Sequence, residues 1–441
     1  MRHRDGAILC HGNGISGPDR HFKATSMLDK SEASAADQLL TSSRWVFLAL
    51  ACVAVVMSLT TWFSATAVVP ELTRHWQLSP QTVAWLTNGV QAGFVTGALL
   101  SSYFALSDRW PLPRMMALSA VAAAAANAIL LADPPAALAV AARFATGFAL
   151  AGVYPPAMKL MATWFRTGRG LALGLLIGAL TLGSALPHLV RASGAGIDWR
   201  VVVIVSSLAS LGAATIFALA LREGPYPFAR TKVDPGQLGA ILRNRPLMLA
   251  NAGYFGHMWE LYAMWGWFLA YARAANEAAA PALVDNQSAL TFWVLAAGVP
   301  GCVVAGALSD RLGRCLTTAG AMLISGSCAV AIGFAYTGPS WLFVGIALVW
   351  GLTIVADSAQ FSASITELAD SHLVGSALAF QMGVGFAITI VAIWLVPLIA
   401  DTLGGWRWAF LILAPGPLLG AWAMLALRRR PESVQMAGGH R

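Results

Sequence analysis

Four ionisable side chains lie inside long apolar stretches of the chain: Arg143, His257, Glu260 and Asp357. A charged side chain at the centre of a bilayer costs about 2.5–3.5 kcal/mol on insertion scales, so such residues are expected to be paired or functional. His257 and Glu260 are three positions apart and therefore share one face of a helix. A histidine beside a carboxylate can exchange a proton near neutral pH, which makes this pair a candidate proton carrier.

Other polar residues in these stretches suit the recognition of a small ligand. Arg143 offers a planar, bidentate group for a carboxylate or a similar anion. Tyr254 shares the helix face of His257, and Thr61 stands among aromatic residues in the first apolar stretch. The alternative is structural: Arg143 pairs permanently with a buried carboxylate, and the Thr61 hydroxyl bonds the preceding turn of its own helix.

Neither a metal nor another cofactor is expected. The His257–Glu260 spacing could hold a metal ion, but no second histidine lies in the candidate ligand-binding stretches to complete a site. The five cysteines include no Cys-x-x-Cys pair, so we expect free thiols and no metal cluster. The chain also has no Gly-x-x-x-x-Gly-Lys-Ser/Thr string, so ATP is not expected to be its direct fuel.

The composition predicts that these residues sit in an integral membrane protein. Of 441 residues, 58% are hydrophobic and 11% are charged. Soluble domains are about 45–50% apolar and about 25% charged, so this chain has too little charge to cover soluble domains of its length. Membrane topology, with anionic lipid headgroups as the polyanion, explains a formal net charge of +8 without nucleic acid.

Twelve apolar runs are long enough for membrane-spanning helices, which need roughly 20 residues each. The predicted spans are 45–69, 81–106, 115–132, 136–160, 169–191, 200–221, 247–272, 288–308, 316–336, 341–365, 375–399 and 406–427. Lys and Arg are concentrated in the loops that lie inside if the N-terminus is cytoplasmic, so both termini are predicted to be cytoplasmic. We expect a bacterial inner membrane protein.

The two halves of the chain repeat each other. Ala105–Arg109 recurs as Ala307–Arg311, a shift of 202 residues, between the second and third span of each half. This predicts a tail at 1–44, a six-helix half at 45–221, a linker at 222–246, a second half at 247–427 and a tail at 428–441. Parallel six-span repeats around a central cavity are a transporter architecture.

The repeated string resembles the loop signature of the major facilitator superfamily, Gly-x-x-x-Asp-Arg-x-Gly-Arg. The second copy matches it at every defined position, including Asp310, Arg311, Gly313 and Arg314, whereas the first keeps Asp108 and Arg109 without the glycines. Arg143 to Gly147 partly resembles that family's Arg-x-x-Gln-Gly signature, with Thr146 in place of glutamine. The resemblance implies twelve transmembrane helices in two pseudo-symmetric halves, with spans 1, 4, 7 and 10 lining the cavity.

The resemblance also implies a cytoplasmic gate. Asp108 would face the start of span 11, and Asp310 the start of span 5, where a helix N-terminus stabilises a carboxylate. Arg109 and Arg311 would pair with carboxylates or helix C-termini, with Glu367 a candidate partner of Arg311. The alternative is that both strings are only positive loops with a turn.

These observations favour a secondary active transporter that works by alternating access. The expected cargo is a small molecule, an organic or other small anion, with protons as the coupling ion and the chain acting as a monomer. Proton-driven efflux of a lipophilic compound or drug is the alternative. A membrane enzyme would need clustered ligands or a nucleophile–base pair, and the sequence shows neither. A transporter-like sensor would need an output domain, and the predicted tails at 1–44 and 428–441 are not expected to hold one.

Overall fold

The computed structural model of the protein describes residues 44–165, 169–194, 197–226, 235–370 and 372–440. The chain divides into two compact units, residues 1–47 and 48–441. The predicted N-terminal tail lies outside the described residues except for Arg44, and so does the middle of the predicted linker, residues 227–234.

The described residues are mostly helical, with no β-strand among them. The long helices are α1 (Arg44–Leu59), α2 (Pro80–Tyr103), α3 (Leu112–Ala132), α4 (Ala136–Ala162), α5 (Arg169–Ala192), α6 (Trp199–Leu219), α7 (Arg245–Ala278), α8 (Gln287–Leu312), α9 (Arg314–Phe334), α10 (Ser340–Leu368), α11 (Val374–Thr402) and α12 (Ala409–Arg428). Within the described ranges, ten of them, α2–α6 and α8–α12, are long and apolar enough to cross a membrane. The all-α membrane class is therefore confirmed, and twelve spans remain a prediction.

The first predicted span differs most from the structure. The sequence predicts a continuous helix over 45–69, but α1 ends at Leu59, and a short helix, Val69–Trp76, follows a stretch of turns. The hydroxyl groups of Thr60, Thr61 and Ser64 donate to backbone carbonyls three residues earlier. Such local bonds offer the backbone an alternative to regular helix, and hydropathy does not register them. We call residues 60–65 the α1 break.

The two halves pack their helices in the same way. The helix α2 lies against α4 as α8 lies against α10, and α3 lies against α6 as α9 lies against α12. A Cβ atom added to Gly147 of α4 would lie 1.9 Å from Val90 O, and one added to Gly351 of α10 would lie 1.8 Å from Val294 O. Glycine at these two positions allows the backbones to approach closely.

Among the described residues, the most extensive helix contacts between the halves are those of α2 with α11 and of α5 with α8. Two helices are interrupted close to the predicted site residues, α4 at residues 151–153 and α10 at residues 355–357.

The predicted C-terminal tail is partly structured: Pro431–Gly439 forms 3-10 turns, Met436 is buried, and Ala437 N–H donates to Glu367 at the end of α10.

Candidate functional site

Arg143 is fully buried and holds the α1 break. Its Nη1 donates to Thr61 O at 2.9 Å and to Asn127 Oδ1 of α3 at 3.0 Å. Its Nη2 donates to Trp62 O, and its Nε donates to Leu86 O of α2 at 3.3 Å. The carbonyls that the broken helix leaves without intrahelical partners are thereby satisfied.

These contacts keep Arg143 within the first half. The structure does not bring it together with Glu260 or Asp357, so the structural alternative of a permanent pair with either carboxylate is wrong. All three guanidinium nitrogens donate to protein acceptors. Thr61 lies in the same cluster; its hydroxyl bonds Ser58 O one turn earlier, as the structural alternative for that residue expected.

Glu260 occupies a similar position in the second half. Its Oε1 accepts from Trp350 Nε1 of α10 at 2.7 Å, and its Oε2 accepts from Ser325 Oγ of α9 at 2.7 Å. In the first half, side chains of α3 and α4 converge on α1; in the second, side chains of α9 and α10 converge on α7. Each half therefore has a buried polar cluster at its first helix, at the α1 break in the first half and at α7 in the second.

His257 pairs with Asp357, and the expectation that it pairs with Glu260 is wrong. The His257 Nδ1 to Asp357 Oδ1 distance is 2.9 Å, and both side chains are at most 3% exposed. The two atoms are close but not aligned for a hydrogen bond, and Asp357 Oδ1 has no hydrogen-bond partner among the described residues. The other ring nitrogen of His257 lies 2.8 Å from Ser358 Oγ, and Ser358 is half-buried. The interruption of α10 at residues 355–357 turns Asp357 toward α7.

Tyr254 packs between this pair and α11. Its ring lies 6.1 Å from that of His257 and contacts α11 at Gly385, where an added Cβ would lie 2.3 Å from Tyr254 Cε1. The tyrosine ring also lies against Phe361 of α10, with ring centroids 5.9 Å apart.

A cluster of aromatic rings fills the space between the halves, and we call it the aromatic plug. Its members are Trp62, Phe63, Phe94, Tyr262, Trp265 and Phe386. Trp62 of the α1 break stacks on Tyr262 of α7 with ring centroids 5.7 Å apart, and Phe94 of α2 lies 4.6 Å from Phe386 of α11. Arg143 thus fixes the backbone segment that carries the first-half tryptophan.

Several polar atoms around the plug lack partners. The Trp62 and Trp265 indole nitrogens and both amide atoms of Gln91 are buried without a hydrogen bond in the described part of the chain. Gln91 lies three residues before Phe94, on the same face of α2. Buried unpaired groups of this kind cost about 1–3 kcal/mol each, so a ligand or water that satisfies them is favoured.

A cavity lies directly beside the plug. Phe94 and Phe386 form part of its wall, and α2, α4 and α11 supply the rest through residues such as Ser102, Pro155 and Met382. It contains about 570 Å³ of empty space, including its opening. No charged side chain is among its described lining residues, which are apolar, aromatic or hydroxyl-bearing.

Polar contacts join the halves at the end predicted to face outward. Glu71 of the short helix lies 2.7 Å from Arg191 of α5 and 3.6 Å from Arg273 of α7, measured between carboxylate Oε1 and guanidinium Nη2. Asn286, just before α8, donates to Ala192 O at 3.0 Å. Glu71 and Asn286 each link the two halves.

A second outer carboxylate, Asp133, stays within the first half. It accepts from Trp76 Nε1 at 3.1 Å and from Arg200 at 2.5 Å, and it lies 3.1 Å from His75. The hydrogen bond from Trp76, followed by the contact with Arg200, holds the pKa of Asp133 below its usual range. This network does not bridge the halves.

The second signature loop is closed by a different arginine from the one expected. Arg314, the first residue of α9, forms a bidentate pair with Glu367 at 2.7 and 2.5 Å and donates to Gln360 at 2.6 Å. The expectation that Arg311 pairs with Glu367 is wrong. Gly313, with φ of +87°, makes the turn that directs Arg314 to α10.

The remaining gate residues make no such pair. Asp310, Arg311 and Arg109 are exposed, and none has a side-chain ion pair or hydrogen bond within the described ranges. The side chain of Asp108 lies outside the described residues, as do the side chains at the start of α5 that Asp310 is predicted to face.

Sequence reasoning missed the aromatic plug and the partners of Glu260. Trp62 and Phe63 stand beside Thr60 and Thr61 in the sequence, so the polar and aromatic string was visible, but its partners come from α2, α7 and α11. Trp350 lies in a fully apolar run, where an indole N–H donor is easily taken for a core residue.

Comparisons with known proteins bear on the family and the fold of the chain. The sequence model of the Major Facilitator Superfamily matches residues 50–356 and 279–439. No curated protein matches the chain significantly. Among solved structures, the chain is similar to a bacterial homolog to the human lysosomal transporter Spinster, in an inward-facing and unoccupied conformation, at 15% identity and a TM-score of 0.63. The match covers 88% of this chain and 99% of that one and shows a shared fold. The chain belongs to the Major Facilitator Superfamily.

Proposed function

We propose that this protein is a secondary active transporter with twelve membrane spans that moves a small organic molecule by alternating access. The halves are joined at the predicted outer end through Glu71 and Asn286, and the aromatic plug lies between them. Rocking of the halves would separate the rings and the outer contacts while leaving each half's own polar cluster intact.

The uncharged cavity is the observation that carries the proposed substrate class. Its described lining offers aromatic rings and hydroxyl groups and no cation, which suits a lipophilic compound with hydrogen-bond acceptors. The unpaired indole N–H groups of Trp62 and Trp265 and the amide of Gln91 would meet those acceptors once the rings part. A small anion would need a free cation, whereas Arg143 is engaged by backbone carbonyls.

The coupling ion is a proton, and the proposed carrier is the His257–Asp357 pair. The two side chains are 2.9 Å apart and buried, and half-buried Ser358 bonds the far nitrogen of the ring. A proton passing through Ser358 or past Tyr254 could reach the imidazole and then the carboxylate. Glu260, whose oxygens both accept hydrogen bonds from its own half, holds α7 to α9 and α10.

Uptake into proteoliposomes tests the substrate class. The wild-type protein should transport an amphipathic aromatic dye faster than empty liposomes do and should not transport a small carboxylate. Phe386→Ala, in the wall shared by cavity and plug, should lower dye transport about two- to tenfold, on the scale of a lost aromatic contact.

Phe334→Ala is the matched control, because Phe334 lies on α9 with 68% of its surface exposed, away from the cavity. It should leave dye transport near the wild-type rate. Carboxylate transport that is insensitive to Phe386→Ala would overturn the lipophilic class and restore the small-anion class.

A further inference from the structure

An exposed apolar groove lies in the first half, between α2, α3 and α4. We call it the lateral groove. Leu100, Leu118, Phe144 and Phe148 line it and are 37–59% exposed. Its only described polar side chains are two serines, Ser101 and Ser119 among the lining residues. Along α3 the groove extends from Met115 to Ala122, about 10 Å at the rise of a helix.

Two arginines stand at one end of this groove. Leu106 lines it, and Arg109 lies three residues later on the short helix Leu106–Arg109, on the same face. Arg114 precedes Met115 and lies one turn before Leu118, again on the groove face. Both arginines are exposed, and neither has a side-chain ion pair or hydrogen bond in the described part of the chain.

The second half differs in one of its two loop arginines: Arg311, the repeat counterpart of Arg109, is also unpaired among the described residues, but Arg314 is not. At the corresponding loop, Arg314 is neutralised by the bidentate pair with Glu367 and a bond to Gln360. The first-half arginines have no such carboxylate within the described residues. Two cations next to an apolar groove that faces the bilayer are complementary to one kind of molecule, an anionic lipid with an acyl chain.

We propose that the lateral groove binds an anionic phospholipid. One acyl chain lies between α2, α3 and α4, and the phosphate and the headgroup charge are bound by Arg109 and Arg114. Guanidinium groups form strong, bidentate hydrogen bonds to phosphate oxygens, and the chain buries the exposed leucine and phenylalanine faces. The groove and the transport cavity share one described lining residue, Ser101 of α2, and their other lining residues differ.

Native mass spectrometry of the full chain in detergent tests the proposal. The protein is titrated with phosphatidylglycerol or with phosphatidylcholine of identical acyl chains, and bound lipid is counted. A basic residue near a lipid surface contributes roughly a fivefold preference for anionic lipid. The wild-type protein should therefore retain one phosphatidylglycerol at least about tenfold more tightly than phosphatidylcholine.

Three variants separate this site from general attraction. Arg109→Gln with Arg114→Gln should abolish the preference. Arg243→Gln with Arg245→Gln removes the same charge from two exposed arginines at the start of α7 and should leave it unchanged. Ala145→Phe fills the groove from an exposed position of its lining and should weaken both lipids at this site. Equal retention of the two lipids by the wild type, or an equal loss in the Arg243 and Arg245 variant, would overturn the proposal.

Discussion

At Arg143 the protein buries a guanidinium group among backbone carbonyls instead of beside a carboxylate. The α1 break supplies two of those carbonyls, Thr61 O and Trp62 O, and the side chain of Asn127 supplies a further acceptor. The break depends on the arginine, since Arg143 supplies a donor to Trp62 O and a second donor to Thr61 O, which also accepts from Ser64 Oγ. A position that looks like an anion site in the sequence therefore has a structural role in the fold.

Arg143→Lys should lower the thermal stability of the purified protein. Lysine presents three N–H donors on one nitrogen in place of five on three, so at least one of the four acceptors Thr61 O, Trp62 O, Leu86 O and Asn127 Oδ1 loses this donor, at a cost of about 1–3 kcal/mol. Thermal unfolding in detergent measures the effect, with Arg245→Lys at the exposed start of α7 as the control. Unchanged stability in Arg143→Lys, together with weaker binding of a small anion, would support the anion site.

Asp357→Asn and Glu260→Gln should differ in their effect on coupling. Asp357→Asn removes the ionisable partner of His257, so accumulation driven by a pH gradient should be lost while substrate exchange persists. Glu260→Gln should keep gradient-driven accumulation and fold normally, because the amide oxygen can still accept from Trp350 Nε1 while the amide NH2 donates to the Ser325 hydroxyl, so only the ionisable group is lost. Measuring accumulation and exchange in the same proteoliposomes separates the two; the reverse pattern would assign coupling to Glu260.

The sequence identified these buried residues but not their partners. Helical spacing places His257 and Glu260 on one face of α7, but their partners, Asp357 and Trp350, both lie on α10. The interruption of α10 between these two residues places Asp357 beside His257 and Trp350 beside Glu260. Arg311 and Arg314 are similarly close in sequence, and the turn at Gly313 selects Arg314 for Glu367. Partner choice depends on local breaks in helices, which periodicity alone does not reveal.

At the level of the helices, close packing in each half depends on glycine. A Cβ added to Gly351 would lie 1.8 Å from Val294 O, so Gly351→Ala should force α8 and α10 apart and lower stability by about 1–3 kcal/mol. Gly345→Ala, on the same helix with nothing within 4 Å of the added Cβ, should be neutral or stabilising by up to about 1 kcal/mol. Equal thermal stability of the two variants would contradict the packing argument.

The sequence located most helices to within a few residues, because long apolar runs bounded by charges and prolines leave few alternatives. The exceptions lie at the candidate site: α1 is broken where hydroxyl-bearing residues meet aromatic ones, and α7, which carries His257 and Glu260, extends to Ala278, beyond its predicted end at residue 272. In α4, the interruption at residues 151–153 lies just before Pro155 and Pro156, whose rings have no N–H to donate to the carbonyls four residues earlier.

At the scale of the whole molecule, the proposed transport cycle assigns this structure to the state in which the halves are joined at the end predicted to face outward. Glu71→Gln should weaken the closure at the end predicted to face outward, because Glu71 contacts Arg191 of the first half and Arg273 of the second. A partly exposed ion pair contributes about 0.2–1 kcal/mol, so the population open to the outside should rise by up to about fivefold. Spin labels at Ala136 and Thr337, exposed positions at the outer ends of the two halves, report the separation.

Asp133→Asn is the matched control for that experiment. Asp133 is an outer carboxylate whose described partners, His75, Trp76 and Arg200, all belong to the first half. Its loss should leave the distance distribution between the two labels unchanged. A longer-distance population that grows equally in both variants, or in neither, would show that Glu71 does not hold the halves together.

Proton-coupled movement of a lipophilic substrate is tested most directly by accumulation in proteoliposomes. Purified wild-type protein is reconstituted, an amphipathic aromatic dye is added outside, and a pH gradient is imposed in either direction. We expect the dye to be concentrated beyond its equilibrium level under one sign of the gradient, and a protonophore to abolish the effect. Dye levels that match empty liposomes under both gradients, or accumulation that persists with the protonophore, would contradict proton-coupled transport by this chain.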